Sequence, residues 1–255
     1  MSFASLHQPG NPLVLFNIWD AGSARAVAGA GAAALATGSA SVAGALGYED
    51  GQTLPFDLLL TVVARIRAVS DLPLSVDFEA GYADTPADMA ENAAGLADLG
   101  VVGINLEDGL PPAGGIRAAP EQAGLIAAIR ARTDLFINAR TDLFLQNPAG
   151  THSELIEEAL ERASTYAEAG ADGFFVPGLV DPDLIAAVCR RSPLPVNIMK
   201  SPAAPSIGHL ARLGVARVSF GPFPWREAMD GLGRAFRDHI SRSGPTGVDV
   251  PRAGR

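Results

Sequence analysis

Short apolar runs recur along this chain, each closed by a polar cluster and followed by a stretch with helical spacing. The runs are Leu13–Ile18, Ala33–Ala36, Leu74–Asp77, Val102–Leu106, Leu135–Ala139, Gly173–Val176, Pro195–Met199 and Ala216–Phe220. Apolar character without alternation over so few residues fits strands covered on both faces, as in a parallel sheet. Between them the helical stretches are Ala24–Ala30, Pro55–Val69, Thr85–Leu99, Glu121–Arg132, Ser153–Ala169, Pro182–Arg190, Ala204–Leu213 and Pro224–Ser241. Their ends carry the expected punctuation. Asp20 or Ser23 serves as N-cap of the first helix. Pro55 suits a first helical position, and Gly100, Gly170 and Gly214 stop three helices. Ala40–Leu54 reads as a longer loop, and the segment before Leu13 as a short helical piece.

The alternation predicts eight strand–helix units in one pass with no linker between them. A single (β/α)8 barrel spanning residues 1–243 follows, the last helix included. An open Rossmann-like sheet is the alternative. No Gly-x-Gly-x-x-Gly follows the first strand, which counts against it. Residues 244–255 hold Gly, Pro and Arg without apolar periodicity, and are expected to form a disordered or loosely packed tail.

Composition sharpens this picture. Of 255 residues, 48% are hydrophobic and 18% charged, enough to bury a large core. The formal charge of −9 argues against nucleic acid or an anionic membrane as partner. A small anionic substrate remains compatible, because an arginine and a metal reverse the sign inside a pocket. One cysteine, Cys189, precludes an intrachain disulfide and points to a reducing compartment. Its apolar neighbours make it a packing residue. The N-terminus lacks a basic region followed by an apolar one, and no apolar stretch approaches the ~20 residues that span a bilayer. A cytoplasmic protein is expected.

Three consecutive strands end in charge. They are Leu74-Ser75-Val76-Asp77-Phe78-Glu79, Gly103-Ile104-Asn105-Leu106-Glu107-Asp108 and Leu135-Phe136-Ile137-Asn138-Ala139-Arg140-Thr141-Asp142. In a barrel these ends share the working face. Convergent carboxylates repel unless a cation or protons intervene. Oxygen ligands without a His or Cys cluster favour Mg2+ or Mn2+ over zinc. Arg140 beside them suits a substrate carboxylate, and backbone amides around Gly38 and Ser39 suit an oxyanion. Asn197 and Ser219 fall on later strand ends of the same face.

The segments Asn11–Arg25, Ala36-Thr37-Gly38-Ser39, Leu46-Gly47-Tyr48-Glu49-Asp50-Gly51, Val76–Tyr82, Asn105–Asp108 and Asn138–Asp142 together resemble the isocitrate lyase/phosphoenolpyruvate mutase superfamily. The resemblance covers nearly the whole chain, in order. It implies a (β/α)8 barrel, Mg2+, and a small 2-oxo acid such as pyruvate, oxaloacetate or 2-oxoglutarate, reacting through a metal-stabilised enolate. It also implies a homo-tetramer or dimer in which the last helix swaps between neighbouring barrels. By position, Asp77 resembles the direct metal ligand, with Glu79 at a second carboxylate position, Glu107 at a third and Asp50 on the loop facing the metal. Arg140 resembles the residue that holds the substrate carboxylate. Thr37, Gly38 and Ser39 resemble the cradle of the oxo acid, and Asn197 a polar lining residue. Arg140 and Asp50 are the catalytic candidates.

The chain also departs from the family. The lyase loop with lysine, cysteine and histidine is here Gly109-Leu110-Pro111-Pro112-Ala113-Gly114-Gly115, which offers no acid or nucleophile. A C–C lyase is the first expectation, a phosphonomutase or C–P hydrolase the alternative. A 2-oxo acid binder without bond-breaking activity is the reading from another class. His152, ahead of a helix on the working face, is the histidine to test as acid or base, and Tyr48 is a weaker candidate. Asp108 and Asp142 read as supporting residues. Trp225, Met229, Leu232 and Phe236 form a helical stripe that covers this barrel or a neighbour's.

Overall fold

The computed structural model describes residues 2–111 and 113–242. The expected tail, 244–255, lies outside the described residues, as does Pro112. The eight strands are β1 (Leu13–Leu15), β2 (Leu35–Ala36), β3 (Leu74–Asp77), β4 (Gly103–Glu107), β5 (Phe136–Arg140), β6 (Gly173–Phe175), β7 (Val196–Met199) and β8 (Arg217–Ser219). All pairings are parallel, in the order β1-β8-β7-β6-β5-β4-β3-β2. A parallel bridge between Ile18 and Thr37 joins the two ends, so the sheet closes on itself as a (β/α)8 barrel. Asn17 fastens this closure. Its side-chain nitrogen donates to the Thr37 carbonyl at 2.7 Å. Its oxygen accepts from Phe220 N at 2.7 Å and Gly221 N at 2.9 Å.

The helices are α1 (Ala21–Gly29), α2 (Ser39–Ala45), α3 (Phe56–Arg67), α4 (Pro86–Asp98), α5 (Ala119–Arg132), α6 (Ile156–Glu168), α7 (Pro182–Arg191), α8 (Ile207–Arg212) and α9 (Phe223–Arg242). Every residue of β3 and β4 is buried, which is why those strands read as unbroken runs. Asp20 caps α1 through a reciprocal pair with Ser23. Pro55 is the N-cap of α3 rather than its first helical residue.

Three expectations are corrected. Ala40–Leu54 is not all loop, because Ser39–Ala45 is helical and buries Ser41, Val42 and Ala43. Trp225 lies over Gly44, where an added Cβ would meet its ring at 2.8 Å, so this short helix is packed by the start of α9. The stretch expected as one helix from Ser153 begins with a 3-10 segment, Ala149–Leu155, before α6. The helix expected from Ala204 is shorter and starts after Ser206, whose hydroxyl caps it. No helix among the described residues is long and apolar enough to cross a membrane.

Candidate active site

At the C-terminal end of the barrel lies a cavity of about 220 Å3. Asp50, Asp77 and Arg140 line it, with Gly38, Ser39, Asn17, Asn105 and Ser219. Leu145, Phe175, Pro177, Met199 and Pro222 form an apolar wall. Asp77 ends β3 and is fixed from β2: its backbone N–H donates to Thr37 Oγ1 at 2.9 Å, and its Oδ2 accepts from Ser39 N at 3.0 Å. Its Oδ1 is buried and has no hydrogen-bond partner among the described residues. Asp50 is solvent-exposed on the loop opposite. Desolvation at the cavity mouth and the charge of Asp77 push its carboxyl up, opposed by the Ser39 hydroxyl and Arg140.

Arg140 is held between two carboxylates. Its Nη1 meets Glu107 Oε2 at 2.7 Å. Its Nε and Nη2 meet both oxygens of Asp142, at 2.6 and 3.1 Å. Burial works against its charge, but Glu107, Asp142 and Asp77 outweigh that and keep it cationic. Burial also pushes the Glu107 carboxyl well up, against the pull of Arg140.

Glu79 sits in a turn with φ of 47°, followed by Gly81 at 106° and Tyr82 at 54°. Left-handed backbone at two non-glycine residues in one turn is strained, and such strain gathers at functional sites. The turn is tied across to the loop of Asp50. Glu79 accepts from Gln52 N at 2.6 Å and from the Tyr82 hydroxyl, and Gln52 Oε1 accepts from Tyr82 N at 2.6 Å. Burial pushes the Glu79 carboxyl up to about 7; the Tyr82 and Gln52 donors pull it back, and Asp77 and Asp50 add repulsion.

The site residues read from the sequence thus separate into groups. Asp50, Asp77, Arg140, Gly38 and Ser39 line the cavity. Glu79 and Glu107 stand behind it, each tied to a partner. Thr37 is buried and faces the Asp77 amide. Asn197 is fully buried in the barrel interior, where its amide donates to the carbonyls of Ile198 and Arg217. The two backbone amides expected to greet an oxyanion are already committed, Gly38 N to the Ile18 carbonyl and Ser39 N to Asp77. His152 is buried, with its Nε2 against the Asn147 carbonyl and its ring against Phe144, so it does not reach the cavity. Tyr48 is exposed and is not among the lining residues. Asp108 anchors Arg162, Tyr166 and the Asp142 amide behind the site.

The sequence reading missed Asn17, Asn105 and Arg217. Asn17 and Asn105 are polar residues inside the apolar runs Leu13–Ile18 and Val102–Leu106, a signal that was present. Arg217 lies inside a strand and shows its place only when the barrel closes.

The closed parallel barrel agrees with the fold expected of the isocitrate lyase/phosphoenolpyruvate mutase superfamily that the sequence resembles. The chain belongs to this superfamily: the phosphoenolpyruvate phosphomutase family model matches residues 3–240. A Burkholderia cenocepacia protein proposed to be a phosphonomutase superposes with a TM-score of 0.88 at 50% identity, over 92% of this chain and 97% of that one. An uncharacterized protein of Mycobacterium tuberculosis is 36% identical over 99% of this chain and 92% of its own length. The phosphoenolpyruvate phosphomutase of Streptomyces hygroscopicus is 31% identical over 93% and 77%. Other relatives are a 2-methylisocitrate lyase of Salmonella typhimurium and an oxaloacetate decarboxylase of Pseudomonas putida. Enzymes of several reaction types therefore share this family.

Proposed function

We propose that this protein is a Mg2+-dependent enzyme that cleaves a C–C bond in a small 2-oxo acid or its precursor. The observation that carries the reading is the pairing of Asp77 and Arg140 across one small cavity, with Asp77 Oδ1 buried and unpartnered. A buried carboxylate oxygen without a donor suits a cation. Mn2+ would serve in place of Mg2+.

In this reading Asp77 and Asp50 would hold the ion directly, and Glu79 and Glu107, behind the cavity, would act on it through water. Among the described residues no three His, Cys, Asp or Glu side chains form a ready-made cage. That fits Mg2+, which keeps several waters and takes one or two carboxylates. When bound, the ion supplies positive charge for an oxygen on which negative charge develops. Arg140, braced by Glu107 and Asp142, orients the substrate carboxylate. The Ser39 hydroxyl and Asp50 border the oxo side. The apolar wall of Phe175, Met199 and Leu145 excludes water from the carbon that changes. No cysteine, lysine or histidine lines the cavity, so proton delivery falls to water. Reactions whose leaving fragment departs without a proton suit such a pocket. Oxaloacetate is accordingly the first substrate to try, with pyruvate and 2-oxoglutarate as binding probes.

Calorimetry with and without Mg2+ tests this. Metal-dependent binding of one of these acids is expected, and Asp77→Ala should abolish it while the protein stays folded. Binding that is indifferent to Mg2+ and to Asp77→Ala would refute the reading. Phosphonomutase or C–P hydrolase chemistry is the second reading, favoured by the 50% identical Burkholderia relative, and phosphonopyruvate turnover would decide for it.

The reading includes an oligomer, a tetramer or dimer in which α9 crosses to a neighbour. In support, Met229, Leu232 and Phe236 on α9 are exposed, as are Val14 and Phe16 on the flank of β1. Light scattering that finds a monomer would remove this part.

A further inference from the structure

We propose that Asn105 is a substrate-binding residue, its amide nitrogen held toward the ligand by the buried Arg217, which acts as a positioning residue. This rests on the 2-oxo acid reading of the same cavity.

Asn105 lines the cavity from β4, in register with Asp77 on one side and Asn138 on the other. Its Oδ1 accepts twice, from Asn138 Nδ2 at 2.9 Å and from Arg217 Nη2 at 3.0 Å. A guanidinium only donates, so the side of Asn105 that faces Arg217 must be its oxygen. The neighbouring amides agree. Asn197 Nδ2 donates to the carbonyls of Ile198 and Arg217, which only accept. The Asn197 oxygen therefore faces Asn138 Nδ2, at 3.0 Å, and Asn138 Nδ2 in turn faces Asn105 Oδ1. Every amide in this row has one allowed orientation. Asn105 Nδ2 is left donating to nothing among the described residues, at the cavity end of the side chain.

Apart from a longer contact of its Nη2 with Ser75 Oγ at 3.4 Å and the distant charge of Asp77, Asn105 is what Arg217 serves. Arg217 is 1% exposed, and its Nε and Nη1 have no partner among the described residues. A buried cation with unused donors costs stability. An apolar residue would fill the same strand position at lower cost. The arrangement makes sense if what it secures is the direction of an N–H2 group. That group presents two hydrogens beside Asp77 and Arg140, so the ligand atom it recognises is an acceptor: a carboxylate or oxo oxygen.

The test uses the Mn2+-loaded full chain and oxalate, a flat dianion that mimics the enolate of pyruvate. Asn105→Ala should weaken oxalate binding about tenfold, the worth of one hydrogen bond to an anion, with Mn2+ affinity unchanged. Arg217→Met, which removes the charge and keeps the bulk, should weaken oxalate comparably without lowering the melting temperature of the ligand-free protein. In the Asn105→Ala background, Arg217→Met should add nothing, because its effect passes through that amide. Wild-type oxalate affinity in Asn105→Ala would overturn the proposal. Additive losses in the double variant would overturn the positioning role of Arg217. If wild-type protein binds no oxalate with Mn2+, the 2-oxo acid reading itself fails, an outcome distinct from either.

Discussion

Arg130 and Arg140 lie at opposite ends of one barrel, and their surroundings differ in kind. Arg130, near the strand starts, donates to the carbonyls of Gly170 and Thr133 and to Asp172, and Asp172 also accepts from Ile137 N. One cation there meets one carboxylate, and the backbone takes the rest. Beside it, Phe136 packs edge-on to Phe3 and stacks on His7 at 4.1 Å. Arg140, at the strand ends, is flanked by Glu107 and Asp142, with Asp77, Asp50 and Glu79 close behind. At the first end the charges are matched within the chain, and the group there without a partner among the described residues, His7 Nε2, belongs to a neutral ring. The second gathers five carboxylates around Arg140, with Arg226 the other arginine at the cavity, and leaves a carboxylate oxygen without a donor among the described residues. Folding alone satisfies the one; the other is built for something that arrives later.

That contrast can be broken at either end. The largest effect should come from Phe136→Ala, which empties the aromatic cluster and should cost about 3–5 kcal/mol in urea unfolding. Ligand affinity of the folded fraction should not change; if it does, the two ends are coupled. Next is the acid limb. Burial, with Arg217 adding repulsion, lowers His7 from 6.5 to about 4. The folded form keeps the ring neutral, so protons favour the unfolded chain. Stability should fall by about 3 kcal/mol as pH drops from 6.5 to 4. His7→Phe should flatten that fall, measured as melting temperature against pH.

The opposite slope belongs to the other end. Glu79 is raised from 4.5 to about 7, so it loses its proton at higher pH in the folded chain than in the unfolded one. Its contribution is lost as pH rises from 4.5 toward 7. In metal-free protein, Glu79→Gln should recover about 1 kcal/mol at pH 8 and nothing at pH 4. The gain is modest because the donors from Tyr82 and Gln52 favour the charged form and are worth less against an amide. No difference between the two pH values would show that crowding at this end carries no cost.

The strands were legible because β3 and β4 are buried on both faces, and a twice-buried strand leaves a short unbroken apolar run whose length and flanking turn residues set it apart from a helix. α2 was not. Ser39–Ala45 is made of small residues with no apolar stripe, and it becomes helical by packing under Trp225. The carboxylates at strand ends were visible as a pattern, but not which of them would face the cavity. Asp77 does, while Glu79, two residues on, is turned aside by a left-handed backbone. His152 looked available because its neighbours are polar; the 3-10 segment folds it inward against Phe144. Arg217 and Asn105 are 112 residues apart, and their meeting depends on register across the barrel, which the sequence does not write locally.

The Asn17 clasp has a consequence for how the molecule is made. Its partners, Phe220 and Gly221, follow it by 203 and 204 residues. While the chain leaves the ribosome, β1 therefore emerges early and must wait for β8, the neighbour it pairs with along its length. At ordinary synthesis rates that interval is roughly 10–40 s. Until then Leu13 and Leu15, buried in the finished barrel, lie open beside an unsatisfied strand edge, and the nascent chain is exposed there to chaperones, to mispairing and to other copies of itself.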